Sequence, residues 1–215
     1  MSVSTHALSL LPHSLCSAIL RRMTLTKIKK AIPNLLTYSR ILVVPVVVVL
    51  FTQPCRSWLG DTRADALSAL LFLYAGATDL LDGFLARIWD ANTSLGKFLD
   101  PVADKLLVST CLLLLVGDGR ANIWPAAAIL CREILVSGLR EFLAELRISV
   151  PVSKLAQYKT TVQLVALYLL LIGPSGPWWL APMTSGPFLL WVAALLTLVT
   201  GYAYLRTGIK YLAEN

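Results

Sequence analysis

Charge is scarce in this chain. Only 14% of its 215 residues are charged and only 12 are acidic, against about a quarter charged in ordinary soluble domains. That excludes a water-covered globule. Cysteine is also sparse: Cys16, Cys55, Cys111 and Cys131 are scattered without CxxC spacing, which excludes a zinc site or disulfide framework and leaves them as small apolar packing residues. No basic stripe is interleaved with aromatics, so nucleic acid is not expected as a partner. The sequence also lacks internal repeats and low-complexity tracts.

What is abundant is apolar length. Hydrophobic residues make up 57% of the chain and the mean hydropathy is +0.71. Helices of about 20 residues cross a hydrocarbon core ~30 Å thick. Six such segments fit, near 35–52, 65–87, 101–117, 123–144, 155–173 and 187–207, with breaks at Gln53-Pro54, Gly117-Asp118-Gly119, Ser149-Val150-Pro151 and Gly173-Pro174-Ser175-Gly176-Pro177. The expected fold is all-α, a polytopic membrane protein forming a single domain over 35–210 with a tail at 211–215. Residues 23–34 place Leu25, Ile28, Ala31 and Ile32 against Lys27, Lys29 and Lys30, the pattern of a short interfacial amphipathic helix. Residues 1–22 are acid-free and rich in Ser and Leu. They are expected to be a disordered extension, with an organellar presequence as the alternative.

Of the 19 Lys and Arg residues, 16 fall in alternate connections, including Arg40 with the N-terminal group; Arg56, Arg63 and Arg120 fall on the other side. Cytoplasmic loops carry the positive excess, so both termini are expected inside. The net charge of +7 suits anionic headgroups of that leaflet. The expected location is a bacterial cytoplasmic membrane or, alternatively, an organellar inner membrane.

Five of the 12 acids lie between positions 79 and 104, in DLLDGFLARIWDANTSLGKFLDPVAD. On a helix Asp79, Asp82, Gly83 and Ala86 share one face. Asp100 and Asp104 are expected on the first turn of the next helix, with Pro101 in an early-turn position. One carboxylate at mid-membrane costs roughly 2.5 to 3.5 kcal/mol on insertion scales, so four together need compensation. Arg87, Lys97 and Lys105 supply some, and divalent cations supply more. All-oxygen ligands suit Mg²⁺ or Mn²⁺, and a pair of such ions is the usual clamp for displacement at phosphorus. Gly83, Ala86 and Gly96 leave room for a ligand to approach the backbone, and Arg87 offers a forked donor to phosphates. The bland reading of the small residues is helix packing, and that of the aspartates is an ion-pair network. A cation transporter would not need the Gly and Ala spacing, and a membrane prenyltransferase would carry Asn-Asp-x2-Asp, which this sequence lacks.

The spacing Asp79-x2-Asp82-Gly83-x2-Ala86-Arg87-x8-Gly96-x3-Asp100-x3-Asp104 resembles, position for position, the signature of the CDP-alcohol phosphotransferase family. The resemblance implies six transmembrane helices around a cytoplasm-facing polar cavity, two divalent cations (Mg²⁺ or Mn²⁺), transfer of a phosphatidyl group from a CDP-linked lipid to an alcohol with release of CMP, and a homodimer. It makes Asp79, Asp82 and Asp100 metal ligands, and Asp104 a fourth ligand, the general base, or both. Asp79, Asp82, Gly83, Ala86, Arg87 and Gly96 would form the CDP site. The tracts at 32–51 and 98–105, and from Trp124 to Thr161, resemble the members that join CDP-diacylglycerol to sn-glycerol 3-phosphate, with serine, inositol phosphate or phosphatidylglycerol as the alternative acceptor. Arg132, Arg140, Lys154 and Lys159 suit an anionic acceptor, because intramembrane charges mark functional sites and phosphate takes charge-assisted hydrogen bonds. The alternative for Arg132 is a structural pairing with Glu133 or Glu141.

Overall fold

The computed structural model describes residues 35–89, 94–146, 154–180 and 182–213. The expected extension at 1–22, the interfacial helix at 23–34 and the end of the tail lie outside these residues. Among the described residues the chain forms seven α-helices and two 3-10 turns, and no strand. They are α1 Leu35–Leu50, α2 Gln53–Leu59, α3 Asp61–Trp89, α4 Ser94–Gly117, α5 Ile123–Glu145, α6 Lys154–Ile172 and α7 Pro182–Ala213, with the 3-10 turns at Gly173–Ser175 and Trp178–Leu180. The six long helices cover the six apolar segments. By length and composition two qualify as membrane spans, Asp61–Asp82 and Thr184–Ile209, and a third does if α1 and α2, bent by 80°, count as one.

Helix ends follow local chemistry. At the end of α1 the Phe51 amide is shared between the carbonyls of Val47 and Val48, and Thr52 N–H donates to Val49; the ladder tightens there. Pro54 then opens α2, where a missing N–H costs nothing. Gly60 closes α2 at φ +86°, donating to the Arg56 carbonyl, a left-handed conformation that glycine adopts freely. Asn122 caps α5 by accepting from the Trp124 amide at 3.0 Å.

One boundary differs from the sequence expectation. α4 begins at Ser94, not near Pro101, so Pro101 sits inside the helix and Asp100 and Asp104 lie beyond its first turn. The polar stretch 94–100 reads as a loop by hydropathy, yet its backbone is helical: the burial pattern of a span does not report where a helix starts outside the apolar layer.

The core is built from Val47, Phe72, Leu112, Ile129, Leu167 and Leu190 with interleaved Ala69, Ala75, Ala126, Ala166, Ala193 and Ala194. Such small residues let membrane helices approach closely. α7 packs along α6 and α5, and α6 also packs against α3. The outward faces carry Leu42, Val46, Leu73, Leu80, Phe84, Trp191, Leu195 and Val199, all exposed. An apolar surface that extensive needs hydrocarbon, not water, around it.

One end of the bundle is pinned by a buried ionic cluster that the sequence did not reveal. Asp65 on α3 accepts from Arg120 Nη2 with both oxygens (2.9 and 2.8 Å) and from Arg56 Nη2 at 3.1 Å. Asp118 accepts from Arg120 Nε at 2.6 Å, and Arg120 Nη1 also reaches the Leu171 carbonyl at 3.4 Å. The charge bias places Arg56 and Arg120 only by side, opposite the positive excess. Arg56 is buried and Arg120 is only 14% exposed, and together they join α2, α3, the α4–α5 link and the end of α6. Gly173, at φ +47°, makes room: a Cβ there would stand 2.6 Å from Arg120 Nη1.

Candidate functional site

The second buried polar cluster lies toward the other end of α3. Thirteen uncharged residues separate Asp65 from Asp79, about 21 Å of helix at ~1.5 Å per residue. The two clusters therefore bracket an apolar layer.

There the aspartates of α3 and α4 meet on a side chain from α1. Arg40 is fully buried, with its side chain 0% exposed. Its Nη1 donates to Asp79 Oδ1 at 2.7 Å and to Asp104 Oδ1 at 2.6 Å, while Nη2 donates to Asp82. One turn earlier Thr37 donates its hydroxyl to Asp100 Oδ1 at 2.5 Å. Residues 37 and 40 share a face of α1, and that face reaches all four aspartates. Asp82 is buried, whereas the side chains of Asp79 and Asp104 are 41% and 47% exposed, so those two carboxylates present themselves to a ligand. Gly96 is buried on α4. Gly83, Ala86 and Arg87 lie on α3, but their side chains are outside the described residues, as is that of Lys97.

Among the described residues no three Asp, Glu, His or Cys side chains stand close enough together to hold a metal ion. The donor chemistry nevertheless fits a cation. A single nitrogen, Arg40 Nη1, is shared by carboxylates of two helices, and the donors are the hard oxygens that Mg²⁺ and Mn²⁺ prefer.

Arg132 of α5 and Lys159 of α6 meet at Glu133 in a third polar cluster. Lys159, buried on α6, donates to Glu133 on α5. Arg132 Nη1 donates to Glu133 at 3.3 Å and Nη2 to the Thr200 hydroxyl at 3.3 Å. The Arg132–Glu133 pairing weighed from sequence is thus present, and it includes Lys159. Arg132 Nε is buried with no hydrogen-bond partner. Beside it Gly201 leaves space, since a Cβ there would approach Arg132 Cγ to 2.8 Å. Arg140 is exposed on α5, its guanidinium 5.7 Å from the ring centre of Tyr204. Lys154 opens α6 with its side chain outside the described residues.

The sequence has known relatives. Residues 30–199 match the CDP-alcohol phosphatidyltransferase family, nearly the whole described bundle and all four aspartates. The chain belongs to that family. A Rickettsia felis protein named CDP-diacylglycerol–glycerol-3-phosphate 3-phosphatidyltransferase is 43% identical over 185 residues, covering 86% of this chain and 99% of the relative. Proteins of the same name from Cereibacter sphaeroides (36% identity; 86% and 98% covered) and Salmonella typhimurium (45%; 82% and 94% covered) are similar over most of their lengths.

For a CDP-alcohol phosphatidyltransferase, the residue that sequence reasoning missed at the aspartates is Arg40. It was counted among charges that set orientation. The available signal was Thr37 and Arg40 three apart in the first apolar segment, where an unpaired guanidinium would be costly.

Proposed function

We propose that this protein transfers the phosphatidyl group of CDP-diacylglycerol to sn-glycerol 3-phosphate, giving phosphatidylglycerol phosphate and CMP. The observation that carries this reading is the convergence of Asp79, Asp82 and Asp104 on one point between α1, α3 and α4, with Asp100 alongside, in a chain alike over most of its length to enzymes named for that reaction.

In this reading the six long helices span a cytoplasmic membrane around a polar cavity that opens to the cytoplasm, with both termini inside, and the protein is a homodimer. The positive-inside bias supports the orientation. Asp79, Asp82, Asp100 and Asp104 would hold two divalent cations, Mg²⁺ or Mn²⁺, whose chemistry when bound is to neutralise the pyrophosphate and the departing CMP. Gly83, Ala86, Arg87 and Gly96, with Asp79 and Asp82, line the CDP moiety. Asp104 accepts the proton of the glycerol hydroxyl as its oxygen bonds to the β-phosphorus and the bond to the CMP oxygen breaks.

Arg132, Arg140, Lys154 and Lys159 hold the acceptor's phosphate, which carries about −1.5 to −2 at neutral pH. Glu133, already bonded to Arg132 and Lys159, keeps those two in place. Such fixing aligns the hydroxyl for in-line attack.

Two experiments test the reading. Purified protein given CDP-diacylglycerol and a choice of glycerol 3-phosphate, serine, inositol phosphate and phosphatidylglycerol should form product with glycerol 3-phosphate alone; preference for another acceptor contradicts it. Gly201→Ala, which forces Arg132 aside, should raise the KM for glycerol 3-phosphate about tenfold, as loss of one charge-assisted bond would, while the KM for CDP-diacylglycerol stays put. Equal changes in both would remove Arg132 from the acceptor site.

A further inference from the structure

The reading of the aspartates as cation ligands leaves the role of α1 unexplained, and the inference here rests on that reading. We propose that Arg40 is a resident cation of the aspartate cluster, a positioning residue that sets the orientation of Asp79, Asp82 and Asp104 and competes with divalent cations for their oxygens.

Arg40 bonds to the carboxylates of two other helices, Asp79 and Asp82 on α3 and Asp104 on α4. Its Nε has no hydrogen-bond partner among the described residues, so its hydrogen bonding is directed at the aspartates. The side chain is fully buried, and a buried guanidinium is tolerated only where its charge is matched. Four carboxylates more than match it. One guanidinium offsets a single charge, which leaves the cluster attractive to further cations.

Geometry separates arginine from a generic positive charge. Nη1 spans Asp79 and Asp104 while Nη2 holds Asp82, which requires two nitrogens fixed in one plane. Lysine offers a single point charge and would not hold all three in the same register. Thr37 completes the contact by holding Asp100, so α1 orders the whole ligand set. The oxygens of Asp79 and Asp104 that accept from Nη1 would be less available to a metal ion held by those residues. Arg40 therefore lowers the cluster's affinity for cations while fixing its shape.

The test is Mn²⁺ binding to the purified full-length protein in detergent, read from the free-Mn²⁺ electron paramagnetic resonance signal without substrate, alongside turnover at saturating Mn²⁺. An opposite charge within ~4–6 Å typically shifts an ionic equilibrium by one to three powers of ten. Arg40→Gln should therefore bind Mn²⁺ at least about tenfold more tightly yet turn over much more slowly. Arg40→Lys should keep Mn²⁺ affinity near wild type and recover only part of the turnover. A merely structural arginine would give weaker binding and lower turnover together. Unchanged or weaker Mn²⁺ binding by Arg40→Gln overturns the proposal, as does wild-type turnover by Arg40→Lys, which also decides the matter if the glutamine variant does not fold. A wild-type protein that binds no Mn²⁺ overturns both this inference and the metal reading beneath it, whereas wild-type binding that Arg40→Gln fails to strengthen overturns this inference alone.

Discussion

Asp104→Asn is expected to lower the rate of CMP release by about a thousandfold, the middle of the range for loss of a general base, while CDP-diacylglycerol still binds. The substitution keeps the shape of the side chain and an oxygen that accepts from Arg40 Nη1, now 2.6 Å from Asp104 Oδ1. It removes the ability to take a proton. Asp104 is the most exposed of the three carboxylates on Arg40, at 47% against 41% for Asp79 and 5% for Asp82, so it has the freest access to an incoming hydroxyl. Asp82→Asn, at a buried position with no access to the hydroxyl, should lower turnover through weaker Mn²⁺ binding instead of through loss of a base. Steady-state CMP release, with CDP-diacylglycerol binding measured separately, checks both. Near-wild-type turnover by Asp104→Asn would remove it as the base.

The second large effect is at the opposite end of the bundle and concerns stability. Asp65 is buried between Arg56 and Arg120, accepting from both. Removing one partner of a buried ionic cluster leaves uncompensated charge and costs about 3–5 kcal/mol. Asp65→Ala should therefore sharply lower the thermal unfolding midpoint of the detergent-solubilised protein. Asp61→Ala is the control. Asp61 also faces Arg56, at 3.4 Å, but its side chain is 77% exposed, and exposed pairs contribute ~0 to 1 kcal/mol. Similar small shifts for the two variants would show that the Asp65 cluster is not what ties α2, α3 and the α4–α5 link together.

These two clusters mark what sequence could and could not reveal. The apolar segments were legible because helices in hydrocarbon must satisfy their own backbone, and a long apolar run has few other options. The four aspartates were legible because their spacing is fixed and their cost in lipid demands a partner. That partner was harder to see: Arg40 is 39 positions from Asp79 and 64 from Asp104, and its place beside Thr37 in an apolar segment signals a need for a partner without saying which acids supply it. Asp65 was passed over for the same reason, its arginines lying 9 and 55 positions away. The α4 boundary was missed because hydropathy reports the apolar layer, not the helix that continues beyond it. Glu133 beside Arg132 was visible in sequence, whereas Lys159 joining it from α6 required the fold.

The central claim, that four aspartates assembled by three helices form a cation-dependent phosphatidyl-transfer site, is tested most directly by one measurement: CMP release from CDP-diacylglycerol by purified protein, stripped with chelator and then resupplied with Mg²⁺ or Mn²⁺, with and without glycerol 3-phosphate. The account predicts no release after stripping, recovery with either ion, and release only when glycerol 3-phosphate is present. Release that persists in chelator, or that ignores the acceptor, would contradict it.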